Sequence, residues 1–164
     1  MRKSFIDPIV VAGALSTRQA QPAVVQLRHI DHAGFEMRLQ AWDDRYSRPT
    51  PETVGYLVIE RGSYILGNGS RVEAGSVQAG STHGLTQIRF GERFSTVPVV
   101  LTSIVSGHEA EVVSARPTMI HQGGFQYRLQ GPSLYQSMDV SVNLAYVTWE
   151  SSWQAIDGLT FEVK

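Results

Sequence analysis

At 164 residues the chain is long enough for one large or two small domains. Its hydrophobic fraction of 42%, charged fraction of 18% and net charge of −1 describe an ordinary globular composition without a basic field for nucleic acid or anionic lipid. With no cysteine, disulfide staples and thiol chemistry are both excluded.

Near the N-terminus, Met1-Arg2-Lys3 stands ahead of an apolar stretch from Ile9 to Leu15, an order shared with short signal peptides. Asp7-Pro8 interrupts it, and the stretch has a counterpart far inside the chain at Val99 to Val105. A segment repeated within the fold reads as a strand, so no signal peptide is expected here. No apolar run approaches the roughly 18 residues that a membrane helix requires, so no membrane insertion is expected.

Further along, Phe35, Met37 and Leu39 alternate with Glu36, Arg38 and Gln40, the two-residue period of a strand. Tyr56 to Glu60 is a second strand candidate, and Gly67-Asn68-Gly69 a turn before Val72. Asn68-Gly69-Ser70 also fits a glycosylation sequon, although Asn-Gly is first of all a turn signal. Gly84 to Phe90 reads as a strand with an aromatic end. Phe125, Tyr127 and Leu129 then alternate with polar neighbours, as do Val140, Val142 and Leu144 ahead of Tyr146-Val147-Thr148-Trp149. Ala33-Gly34, Gly123-Gly124 and Asp157-Gly158 punctuate the runs, and no stretch carries apolar residues at helical spacing.

These elements recur at an offset of 90 residues. Asp7-Pro8-Ile9-Val10 is matched by Val97-Pro98-Val99-Val100, and Gly34 to Gln40 by Gly124 to Gln130. Tyr56 to Glu60 falls on Tyr146 to Glu150. After a one-residue deletion, Val72-Glu73 meets Phe161-Glu162. An all-β chain of two tandem antiparallel sandwiches follows, over residues 1–76 and 77–164, because one-faced strands must bury that face against another sheet. The second copy has a leading strand, Gly84 to Phe90, for which the first has no equivalent. Either the chain belongs to a longer array, or a strand such as Leu159 to Val163, from the same chain or a neighbour, fills that edge.

The second copy resembles the H-type lectin domain, the family of snail agglutinin and the C-terminal domain of discoidins. The resemblance rests on Ile88-Arg89-Phe90, on Phe94-Ser95-Thr96-Val97-Pro98-Val99-Val100, on Gly124-Phe125 and on Val147-Thr148-Trp149. The first copy offers Pro8-Ile9-Val10, Gly34-Phe35 and Glu52 to Glu60, the last also similar to tandem repeats of large bacterial secreted proteins. The resemblance implies six-stranded antiparallel sandwiches, trimers of identical subunits, binding of N-acetylgalactosamine-type sugars and an extracellular, cell-surface or virion location. Of the family's sugar contacts, Trp42 matches the Trp of a Trp-His pair, while Asp43 stands at the His. In the second copy these positions are Pro132 and Ser133, and the family's Arg falls on Pro22 and Val112.

Read from the residues, Trp42-Asp43-Asp44-Arg45-Tyr46 combines an aromatic face with carboxylate and guanidinium groups, the chemistry that grips a sugar ring. The same residues equally describe a turn in which Trp42 closes the sandwich end and the charges are solvated. The matching loop holds Ser133, Tyr135 and Gln136, with Tyr135 the second candidate for ligand contact. His29, Asp31 and His32 have metal-ligand chemistry, but the second copy has Met119, His121 and Gln122, which reads as a tolerant turn, so no metal and no cofactor are expected. No nucleophile elbow, zinc motif or phosphate-cradling loop is present, and adjacent Asp43 and Asp44 do not define a glycosidase pair. A non-catalytic carbohydrate-binding module is therefore expected. The alternative is a structural or adhesive repeat of a fibre, appendage or secreted protein; a hydrolase on the sandwich is a weaker third.

Overall fold

The computed structural model describes residues 4–16, 22–42, 51–81, 84–106, 112–132, 139–156 and 159–163, those from 152 onward by their backbone alone. Thirteen strands and no helix lie within them. In chain order they are β1 (Pro8–Leu15), β2 (Ala23–Arg28), β3 (Glu36–Ala41), β4 (Val54–Glu60), β5 (Gly62–Ile65), β6 (Arg71–Ser81) and β7 (Thr86–Arg89). There follow β8 (Pro98–Ser106), β9 (Ser114–His121), β10 (Gly124–Gln130), β11 (Asp139–Glu150), β12 (Ser152–Ile156) and β13 (Leu159–Val163). The all-β, sandwich-like architecture is the expected one, and the Ile9-to-Leu15 stretch is indeed strand.

The best-enclosed part is a pair of facing sheets. One has the order β7-β10-β9; the other contains β8-β11-β6 within a longer sheet of order β3-β2-β8-β11-β6-β5. Between them lies a core of Ile88, Phe90, Phe94, Phe125, Leu129 and Leu144 with their neighbours. Pro117 interrupts β9 at no cost to the central pairing, because β9 is the sheet's edge strand.

β11 is central, with β6 on one side and β8 on the other. Val142, Leu144 and Tyr146 face the enclosed core, whereas Ala145 and Val147 join Ile9, Val11, Val72 and Ala74 in a second cluster on the opposite face. There β1 and β4, which form a two-stranded sheet, pack on the back of the β6–β11 region. Burial on both faces explains why Leu144-Ala145-Tyr146-Val147 loses the alternation seen at its start.

The pairing registers repeat with the sequence. Val10 pairs with Val58 in β1–β4, and Val100 with Thr148 in β8–β11. Arg28 pairs with Glu36 and, 90 residues on, Thr118 with Gln126. Ser63 pairs with Glu73 in the β5–β6 hairpin, and Trp153 with Glu162 in β12–β13. His29 and Met119, 90 residues apart, both hold left-handed backbone with φ of 50° and 47°. The halves differ in their neighbours. β6 runs through position 76 to pair with β11, while β4, the counterpart of β11, has only β1 beside it among the described residues.

Candidate functional site

The loop after β3 begins at Trp42, which is half-buried; its amide donates to the Pro22 carbonyl at 2.9 Å, tying the loop's root to the start of β2. At the matching position Pro132 is fully buried. Asp43, Asp44, Arg45 and Tyr46 lie outside the described residues, as do Ser133, Tyr135 and Gln136. Of the expected sugar contacts, the structure therefore places Trp42.

The His29–Gly34 segment is a turn that Asp31 closes from within. Asp31 accepts from the amides of Ala33 and Gly34 at 2.7 and 3.0 Å, and these bonds hold its carboxyl below the usual range. His29 Nδ1 lies 3.1 Å from Glu36 Oε1, and Arg28 Nε 2.6 Å from Glu36 Oε2. The equivalent turn has a similar lock, with His121 Nδ1 accepting from the Gly123 amide at 3.1 Å. No cluster of three or more His, Asp or Glu suited to a metal exists among the described residues.

A site that the sequence reading missed lies beneath this turn. Phe35 and Tyr56 meet edge to face, with centroids 5.1 Å apart at 72°. They border a cleft of about 670 Å³ that also involves Phe5, Val10, Ile30 and Val58. At its floor Val10 is fully buried, but Tyr56 is 61% exposed. Asp31 and His32 stand on its rim. The signal in the sequence was Gly34-Phe35 matched to Gly124-Phe125 without a match for the strand that precedes the second copy.

In the second half the same pair is sealed. Phe125 and Tyr146 lie 5.8 Å apart at 71°, Phe90 packs 5.9 Å from Phe125, and Tyr146 is only 8% exposed. The Tyr146 hydroxyl donates to Glu73 Oε1 at 3.1 Å, while Glu73 Oε2 accepts from the Gly91 amide at 3.0 Å. Burial, reinforced by the Glu73 carboxylate, pushes the Tyr146 hydroxyl up to about 12. Gly75 lets β6 lie against the ring: a Cβ there would come 2.6 Å from the Tyr146 oxygen.

Glu150 staples the neighbouring end of this unit. It accepts from the amides of Arg71 (2.9 Å), Ser95 (2.8 Å) and Thr96 (3.2 Å), and from the Ser95 hydroxyl. Burial opposes its charge, but the Ser95 hydroxyl and these three amides outweigh it and hold the carboxyl below its ordinary range. Glu60, its counterpart, accepts from the Ile6 amide at 2.9 Å and also from Asp7. These carboxylates are structural clasps between strand ends.

No protein-family model and no solved structure matches the chain. Among curated proteins it is similar to halomucin of Haloquadratum walsbyi, at 26% identity over 136 residues, which cover 78% of this chain and 2% of halomucin. The chain thus corresponds to a small segment of a much longer polypeptide.

Proposed function

We propose that the chain is a non-enzymatic, lectin-like carbohydrate-binding module of an extracellular or cell-surface protein, gripping glycans with the loops at the sandwich ends. The observation that carries this reading is the half-buried Trp42 at the root of the β3 loop, where an aromatic face stands beside acidic and guanidinium side chains in sequence. Support comes also from the antiparallel strands β6 to β11, in which the β7-β10-β9 sheet faces the β8-β11-β6 part of the six-stranded sheet. Shallow loop sites bind single sugars weakly, so avidity from two repeats and from association of copies, as trimers or otherwise, belongs to the proposal. A glycan array probed with the full chain on a multivalent support tests it. Binding is expected, and Trp42→Ala should remove it while the melting temperature stays close to the parent's. A flat array at high valency overturns the reading.

One observation favours a second reading, a structural or adhesive repeat without sugar affinity: the matched stretch is 2% of halomucin, as suits one module in a long series. A flat array together with concentration-dependent light scattering would select it.

A further inference from the structure

Two strand edges and one open cleft in this chain have the same explanation. In the second half, β11 carries β6 on its outer side, and the aromatic pair beneath is closed by Glu73, Gly75 and Phe90. In the first half, β4 lacks a strand at that side among the described residues, and Tyr56 stands exposed. The template for the missing strand is therefore β6.

A second β6 exists in the sequence. β13 pairs with β12 in the register in which β6 pairs with β5: Gly62↔Ala74 and Ser63↔Glu73 become Ser152↔Val163 and Trp153↔Glu162. Phe161, Glu162 and Val163 thus stand where Val72, Glu73 and Ala74 stand. Among the described residues β13 has β12 as its sole partner. Within one chain β12–β13 follows β11 directly, whereas β4 stands between β3 and β5.

We propose that β13 of a second copy of this chain docks antiparallel on the free edge of β4, completing the first unit as β6 completes the second. The β6–β11 ladder fixes the register: Trp149↔Val72, Thr148↔Glu73 and Val147↔Ala74 translate to Ile59↔Phe161, Val58↔Glu162 and Leu57↔Val163 of the second copy. Main-chain hydrogen bonds supply the affinity, the logic of strand addition. Donor and acceptor lie on different surfaces, so the contact is head to tail and the product is an open chain of copies. This inference stands independently of sugar binding.

Sedimentation velocity of the full chain over a concentration series tests it, and mass should rise through dimers to longer species. Phe161→Pro, which removes a donor-strand amide, and Tyr56→Glu, which puts a charge at the exposed Tyr56 position of β4, should each leave a folded monomer with the parent's circular dichroism. An equimolar mixture of the two variants retains one intact donor and one intact acceptor, and should give a dimer that grows no further. A parent that stays monomeric throughout overturns the proposal. So does assembly that survives in both variants, or a mixture of folded variants that stays monomeric.

Discussion

Phe35 with Tyr56 and Phe125 with Tyr146 are one aromatic pair in two surroundings. The geometry is nearly the same, at 72° and 71° between rings, yet Tyr56 is 61% exposed and Tyr146 8%. The rings do not account for the difference, and neither does the strand beneath them. What differs is the cover: β6 and the Phe90–Phe94 segment lie over the second pair, while the first meets a cleft. A repeated sequence thus encodes a repeated half-site, and its environment depends on which strand arrives from outside the repeat.

The largest expected effect comes from truncating the aromatic ring in each half. Phe125→Ala should cost about 3–5 kcal/mol of stability, as a fully buried ring leaves a cavity, whereas Phe35→Ala at the cleft should cost about 1–2 kcal/mol. Urea unfolding of both variants measures the contrast, and equal losses would mean that the cleft is closed in solution.

The glycine before each ring gives the next test. A Cβ at Gly124 would lie 2.2 Å from the Ile88 carbonyl oxygen, because β7 runs alongside, while nothing lies within 4 Å of one at Gly34. Gly124→Ala should destabilise by about 1–3 kcal/mol and Gly34→Ala by less than about 0.5 kcal/mol. Thermal melts of the two variants read the difference directly.

The smallest contrast concerns the hydroxyls. Tyr146→Phe takes a donor from buried Glu73 and should cost about 1–2 kcal/mol, whereas Tyr56→Phe should be nearly neutral in the monomer. The Tyr146 pair also has a pH signature. Its hydroxyl titrates near 12 when folded against 10.0 when unfolded, so the unfolded chain loses its proton first. Stability from this group is complete below pH 10.0 and falls as the pH rises toward 12, a slope that Tyr146→Phe should reduce. Tyr127, also raised by burial, should leave part of that slope in place.

Much of the fold was legible from side-chain order. Alternation at Phe35-Met37-Leu39 and Phe125-Tyr127-Leu129 located β3 and β10, because a strand buried on one face needs that period. Residues matched at the offset of 90 take matched registers where both halves pair, as Val10 with Val58 and Val100 with Thr148. Less of the candidate site could be read. Trp42 was identifiable from its loop, but Asp43, Asp44, Arg45, Tyr46 and Tyr135 fall outside the described residues. The Phe35–Tyr56 cleft went unnoticed because exposure is a property of neighbours, and its sequence resembles that of the sealed pair.

The amino-acid order by itself determined that this chain is built of strands, where most of them lie and which half matches which, because local periodicity and turn chemistry act over a few residues. Tertiary structure alone decided that β6 pairs with β11, that β11 is buried on both faces and that Tyr56 is open while Tyr146 is closed. These outcomes depend on hydrogen bonds and apolar contacts between segments distant in the chain, and a strand carries no mark in its own sequence of the edge on which it will settle.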